Sequence, residues 1–532
     1  MIKDFLQKNK WYMMASFFIP FLVMAIMYLT IGIYPGSDRS VMASDAFSQF
    51  SNFHASFRNA LLGEQSFLYT WNASLGLNFL SLISYYLGGF FTPLVLFFPN
   101  QLMPDALYFL TLIKIGSAGL SFWFYASHRF KIAKGSHITL AVCYALMSFV
   151  TAQSELIMWL DAYIYLPLII WGIDRLIQKH KPKLLFISYF MLFFTSFYLG
   201  FMIGVFSFLY FLVQLFKNWK DNKKSILPYF TTSLLAGGAS MIIILPALLD
   251  LRANGEELTQ ITNLKTEATS AFDFFIKNMI GVYDTTKYGA IPFIYIGLLP
   301  LVFCIFYFII KEISWKEKIL YALLIALIIG SFYFVPLNLF WHGMHAPNMF
   351  LFRYAFLLSF TVIMLAGFGW EKLTEANERK LLFSFVFLAV AFIFTYLLVY
   401  KTREYLDPIS LILTLSFLIV YGVIFFSFYT KKFSFKQTVL FLLIFVTAEM
   451  TINTNSMLRG ILDEWNYASR ELYTEPYPAI NELVEQTKEE NDSFYRLENL
   501  DPVSANDSFN YGYSGISMFS SIRNRNTSGY MN

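Results

Sequence analysis

Asp45 and Gln49 stand four residues apart in the stretch Ser44-Asp45-Ala46-Phe47-Ser48-Gln49-Phe50. On a helix that spacing puts both side chains on one face, within reach of one substrate. A carboxylate close to a bilayer is partly desolvated, which raises its pKa toward the range of a working general base. Asp45 is therefore the first candidate to take a proton from a bound hydroxyl. The same spacing also fits an interfacial helix with Ser44 or Asp45 as its N-cap. Asp38, beside Arg39, reads as an exposed ion pair or a turn residue.

A second group lies in Trp341-His342-Gly343-Met344-His345-Ala346-Pro347-Asn348-Met349-Phe350-Leu351-Phe352-Arg353. Arg353 can grip a phosphate through two parallel N–H groups, and a lipid phosphate sits at the depth of a helix mouth. An arginine there can also simply snorkel. His342 and His345 have no third ligand nearby in sequence, so hydrogen bonding by neutral imidazoles to sugar or phosphate is expected rather than a metal site. Asn72 and Asn78, in the polar stretch after Thr70, are candidates to bind sugar or acceptor. Within the apolar runs, Lys114, Glu155 and Asp161 stand out, because ionisable groups there usually face a cavity or a partner. Lys114 reads as a counter-charge for a phosphate, as a partner of Glu155 or Asp161, or as a snorkelling side chain.

Other chemistries find no footing. Walker A and dinucleotide glycine patterns are absent, so no nucleotide cofactor is expected. Gly237-Gly238-Ala239-Ser240 reads as helix packing rather than a protease serine. Cys143 and Cys304 lie in separate apolar runs and read as small core residues.

The elements that position these residues are membrane helices. Of 532 residues, 57% are hydrophobic and 14% charged, with a mean hydropathy of +0.54, far from the balance of a soluble domain. The net charge of +4 is spread over short loops, which argues against nucleic acid. The first apolar run, 11–33, is long enough to span and reads as a retained helix rather than a cleaved signal. Further spans are expected at 106–127, 138–160, 162–177, 226–249, 292–310, 319–335, 353–370, 381–399, 408–428 and 438–451. The run 184–216 is expected to form two helices turning near Tyr198-Leu199-Gly200.

Basic residues set the orientation. Lys3, Lys8 and Lys10 place the amino terminus in the cytoplasm. The run 79–98 carries Gly88, Gly89 and Pro93 and no flanking positive charge, and counting it as a full crossing would put Arg129, Lys131 and Lys134 outside. Treated as re-entrant or interfacial, it leaves every later basic cluster inside, for about thirteen spans. The expected organisation is a transmembrane domain over 1–452 and an extracytoplasmic segment over 453–532. The long outward stretches are then 34–80 with the re-entrant run, 250–291 and 338–352.

Taken together these motifs resemble the bacterial YfhO family of multi-pass membrane proteins. The likeness is carried by Pro35-Gly36, Asp45 with Gln49-Phe50, Trp71-Asn72 with Gly76 and Asn78, Tyr85-Tyr86 with Pro93, and Lys114-Ile115-Gly116 with Gly119. It continues through Trp159-Leu160-Asp161, Trp341-His342-Gly343 with Pro347-Asn348 and Arg353, and Asn506-Asp507-Ser508 with Gly515 and Phe519-Ser520-Ser521.

The resemblance implies an all-α membrane glycosyltransferase of the GT-C type. Such an enzyme takes a sugar from an undecaprenyl-phosphate carrier and adds it, outside the cell, to a wall polymer such as lipoteichoic acid. It implies Asp45 as catalytic base and Arg353 on the carrier phosphate. The chain departs from the family at Phe50, where Tyr is usual. Members are also usually longer, so a shortened member is expected. A flippase or transporter for a lipid-linked envelope precursor is the competing reading. The concentration of polar groups outside the bilayer, rather than at its midplane, favours the transferase.

Overall fold

The computed structural model describes residues 2–254, 258–266 and 269–522. Among the described residues, seven helices are long and apolar enough to cross a membrane: Asp4–Thr30, Asn100–Arg129, Phe197–Lys217, Trp219–Arg252, Glu375–Val399, Pro408–Tyr429 and Phe435–Trp465. Between them lie helices that are shorter or carry more charge, namely Lys134–Ala145, Leu160–Lys179, Lys183–Thr195, Leu298–Ile309, Trp315–Tyr333 and Ala355–Glu371. The protein is thus a predominantly helical membrane protein.

Burial sorts the helices into an axis and a rim. The most apolar window of Asn100–Arg129 is 78% buried, whereas that of Trp219–Arg252 is 28% buried. Rim helices turn large apolar side chains outward, for example Leu227, Leu234, Leu235 and Ile242, or Leu382, Phe383, Val386 and Val390. A face of that kind suits lipid, not water. On the axis, Met103–Arg129 packs against Ile2–Thr30, Lys134–Ala145 and Leu160–Lys179. Gly119 is the point of closest approach to the first helix, because a Cβ there would fall on the Ser16 carbonyl. Small residues at such crossings let two backbones come into contact.

Two expected spans are broken inside the bundle. Residues 138–160 do not form one helix: Lys134–Ala145 stops, a single turn Ser148–Thr151 follows, and the chain then loops to Leu160. Residues 292–310 start extended, and their helix begins only at Leu298, after Gly297 at φ +93°. The two breaks satisfy one another. Ser148 N–H donates to the Tyr295 carbonyl at 2.9 Å, and Tyr295 N–H donates to Ser148 Oγ at 2.9 Å. Leu298 N–H donates to Glu449 Oε1 at 2.6 Å, and the hydroxyls of Tyr295 and Tyr421 donate to the same carboxylate. Non-helical backbone at membrane depth requires pairing of this kind within the protein.

Other boundaries shift. The turn expected at Tyr198-Leu199-Gly200 falls at Ser196, whose extended backbone separates Lys183–Thr195 from Phe197–Lys217. The last span is the 31-residue helix Phe435–Trp465, which runs straight through the expected division at 452/453. Asn453 is a buried side chain whose Oδ1 accepts from Gly281 N–H at 3.1 Å. The polar tail starts after Trp465. Residues 79–98 are three short helical pieces, Phe79–Leu82, Ile83–Leu87 and Thr92–Phe97, interrupted at Gly88 and Gly89.

The tail folds back onto the first long loop. Arg470 N–H donates to the Asp38 carbonyl at 2.6 Å, and its guanidinium pairs with Asp105 at 2.5 Å. Arg496 Nη1 donates to the carbonyls of Trp71, Ser74 and Gly515. Ser74 N–H donates to the Ile516 carbonyl at 2.9 Å. A small hairpin, Tyr69–Thr70 with Leu77–Asn78, shapes the loop beneath it.

Candidate functional site

Asp45 opens a π-helical turn, Ala46–Phe50, that runs into the helix Ser51–Leu61. Turns of this kind are rare and often mark functional positions. Ser44 stands just before it at φ +50°, a strained value for a residue with a side chain. The Asp45 carboxylate makes no capping bond, so the capping alternative is not what the turn uses it for. It is half-buried, and burial raises its pKa, while the Arg353 charge and a hydrogen bond from Gln49 pull the other way. Gln49 is 3% exposed, and its Oε1 accepts from the Tyr86 hydroxyl at 2.8 Å.

Arg353 is held by neutral groups. Its Nε donates to the Phe350 carbonyl at 3.2 Å, its Nη1 to the Tyr198 hydroxyl at 3.3 Å, and its Nη2 to the carbonyls of Asn348 and Met349 at 3.3 Å each. The guanidinium lies over the Trp159 ring at 5.1 Å and the Tyr198 ring at 5.4 Å. Among the described residues no carboxylate comes within ion-pair distance of it, although its charge is felt by Asp45, Tyr85, Tyr198 and His342. A fixed cation with only neutral partners keeps its affinity for an anion. The preceding loop is strained, with Met344, Met349, Phe350 and Phe352 all at positive φ, a cost that persists only where surrounding structure enforces it.

His342 fits this neighbourhood as a neutral ring. Its Nδ1 lies 2.8 Å from the Asn338 carbonyl, which can only accept, so Nδ1 carries the proton and Nε2 is a buried acceptor without a partner among the described residues. Burial and the Arg353 charge push its pKa down to about 3. His345 is half-buried, its backbone N–H on the His342 carbonyl at 3.4 Å.

The remaining sequence candidates are committed elsewhere. Lys114 donates to Asp161 at 2.7 Å and to the Ile157 carbonyl at 3.1 Å, with both ionic side chains almost fully buried. Of its three expected roles, partner of Asp161 is the one seen. Asp161 in turn presses on Gly89, where a Cβ would meet its carboxylate. Asn78 caps the turn Phe79–Leu82 through Ser81 N–H at 3.3 Å. Asn72 donates to Gln65 at 3.0 Å, and its carbonyl accepts from Ser508. Asp38 and Arg39 do not pair; Arg39 Nη1 donates to the Ile31 carbonyl at 2.6 Å.

Removing one member of a buried pair leaves the other charge uncompensated, at a cost of about 3–5 kcal/mol. Lys114→Met should therefore lower the thermal midpoint in detergent sharply, and Lys114→Met with Asp161→Leu should recover most of it. A single variant as stable as the parent would show that the pair carries no structural weight.

Comparison with known proteins supplies the family. The profile described as "Bacterial membrane protein YfhO" matches residues 15–532. The chain belongs to that family. A curated relative, "Uncharacterized protein YfhO" of Bacillus subtilis (strain 168), is 21% identical over 387 residues, 69% of this chain and 40% of its own length. The chain thus spans less than half of the relative it matches. Among solved structures, ArnT from Cupriavidus metallidurans in the apo state shares 11% identity over 92% of this chain and 82% of its own, with a TM-score of 0.39. The same protein bound to undecaprenyl phosphate shares 9% identity over 99% of this chain and 88% of its own, with a TM-score of 0.40.

The sequence assigns no site role to several residues that meet here, although Glu155 stands out in it as an intramembrane charge. Tyr85, Tyr86, Trp159 and Tyr198 form its aromatic wall, with Tyr85 and Tyr86 edge-to-face at 4.7 Å and Tyr85 and Tyr198 at 6.3 Å. Ser521 N–H reaches the Tyr86 hydroxyl at 3.0 Å from the far end of the chain. Buried Glu155 has both carboxylate oxygens unpaired among the described residues and adds its field to that of Asp45. The Tyr85-Tyr86 pair and Trp159 were visible as motif residues, but aromatic content of 20% hides which rings matter.

Proposed function

We propose that this family member is a membrane glycosyltransferase of the GT-C type, which moves a sugar from an undecaprenyl-phosphate carrier to an extracytoplasmic cell-wall polymer such as lipoteichoic acid. The observation that carries the reading is Arg353, a cation whose contacts among the described residues are all neutral and whose charge reaches the half-buried Asp45. In this reading Asp45 takes the proton of an acceptor hydroxyl, whose oxygen attacks the anomeric carbon. The bond from that carbon to the carrier phosphate breaks, and Arg353 stabilises the charge that collects on the departing phosphate. His342 Nε2 and Gln49 contact sugar or acceptor, and His345 lies beside them. The amino terminus is cytoplasmic, about thirteen helices cross the bilayer, and the tail lies outside with the site.

A transport reading draws on the broken helices around Glu449, since interrupted helices with paired ends also build midplane sites in transporters. Cells lacking the protein separate the two. A transferase leaves the lipid-linked donor accumulating on the outer face and the wall polymer unglycosylated by mass analysis. Donor that never reaches the outer face would overturn the transferase reading.

A further inference from the structure

We infer that Tyr86, tied down by the C-terminal segment, is a positioning residue that fixes which way the Gln49 amide faces and so keeps an N–H aimed at Asp45. The inference rests on Asp45 being the base. A side-chain amide offers oxygen at one end and N–H at the other, and only the surrounding network decides which end points where.

Ser521 contributes a backbone N–H, which can only donate, and it lies 3.0 Å from the Tyr86 oxygen. That oxygen accepts from Ser521 and, at 3.5 Å, from Ser520 Oγ, and its single proton is donated to Gln49 Oε1 at 2.8 Å. With its oxygen turned to Tyr86, Gln49 has only its N–H groups to offer Asp45, which opens the same short turn four residues earlier. The Tyr86 ring cannot swing away, since it is 3% exposed and packed on Phe53 at 4.9 Å and Phe50 at 5.9 Å.

The anchor comes from more than four hundred residues away. Asn506 Nδ2 donates to the Ser48 carbonyl and to the Phe519 carbonyl, both at 2.7 Å, while its Oδ1 accepts from Phe519 N–H at 3.0 Å. Asn52 Nδ2 donates to Ser504 Oγ at 2.9 Å. One asparagine thus clamps the Asp45 turn and the segment leading to Ser521 together. The tail is a wall of the site, not an appendage.

An N–H donated to a carboxylate favours its charged form, and an opposing carbonyl oxygen disfavours it. The charged and titratable groups facing Asp45 are Arg353, Glu155 and Tyr86 itself. Of these only Tyr86 reaches it through Gln49.

The test compares transfer rates against pH for full-length protein in nanodiscs carrying an undecaprenyl-phosphate sugar. Tyr86→Phe keeps the ring and removes the hydroxyl. It is expected to lower kcat about tenfold and to move the acidic limb of the profile to higher pH. Gln49→Ala should move the limb the same way, and the double variant should go no further than Gln49→Ala alone. Ser521→Pro, which deletes the anchoring N–H from outside the core, should give the same displacement should Tyr86→Phe not fold. An unmoved limb in folded protein, or additive effects of Tyr86→Phe and Gln49→Ala, would overturn the positioning role. Asp45→Asn separates this from the parent reading: transfer retained there sinks the base assignment, whereas transfer lost there with an unmoved Tyr86→Phe limb sinks only the positioning.

Discussion

Asp45→Asn is expected to reduce sugar transfer by about a hundredfold to ten-thousandfold, the range lost with a positioned general base, while the protein still inserts and folds. Asparagine matches the carboxylate in size and can still pair with Gln49, so the change removes the base and little else. The pH dependence carries the sign. Burial raises the Asp45 pKa, and only the ionised form can accept a proton, so activity should fall as pH drops through a value above the ordinary carboxylate range. Quantifying transfer by release of free carrier phosphate, with membrane insertion checked by size exclusion in detergent, decides it. Full transfer by the asparagine variant would remove Asp45 from the chemistry.

Arg353→Lys should raise the KM for the lipid-linked donor about ten- to hundredfold, with a smaller loss in kcat. Lysine keeps the charge but not the planar fork that spans Tyr198, Phe350, Asn348 and Met349. Each hydrogen bond to a charged group is worth about 1.5–3 kcal/mol, and 1.4 kcal/mol is about tenfold. Arg353 also ties down carbonyls in a loop whose Met349 and Phe350 hold positive φ, so its loss relaxes the mouth of the site. Steady-state kinetics with a short-chain polyprenyl-phosphate sugar read both constants. An unchanged donor KM would free Arg353 from the phosphate.

How legible this was in the sequence depends on distance along the chain. Asp45 with Gln49 is a four-residue pattern, and both residues prove to share a turn. Arg353 stood out because a charge at the edge of an apolar run is conspicuous at any distance from its partners. The break after Ala145 gave no local sign: Leu146 and Met147 are neither glycine nor proline, and the bonds that allow the interruption come from Tyr295, 147 residues on. The same holds for the Phe435–Trp465 helix, where Asn453, Thr454 and Asn455 look like the start of a polar tail. The helix continues because Asn453 and Thr454 are buried and bonded, Asn453 to Gly281 and Thr454 to the Met450 carbonyl. Asn72 and Asn78 read as ligand contacts from their polarity, and the bonds they make in the structure are the bridging and capping bonds that a loop needs as well.

The clamp between Asn506 and Ser48 has a consequence for biogenesis. Asn52 and Ser504, bonded across the same junction, are 452 residues apart, so the turn bearing Asp45 emerges from the ribosome long before the residues that close over it. Every membrane helix among the described residues, through Trp465, must be threaded before that wall exists. A partly made chain therefore holds Asp45 without the contacts that fix its turn, and under the proposed function a protein released early by truncation or stalled export would occupy the membrane without consuming the donor.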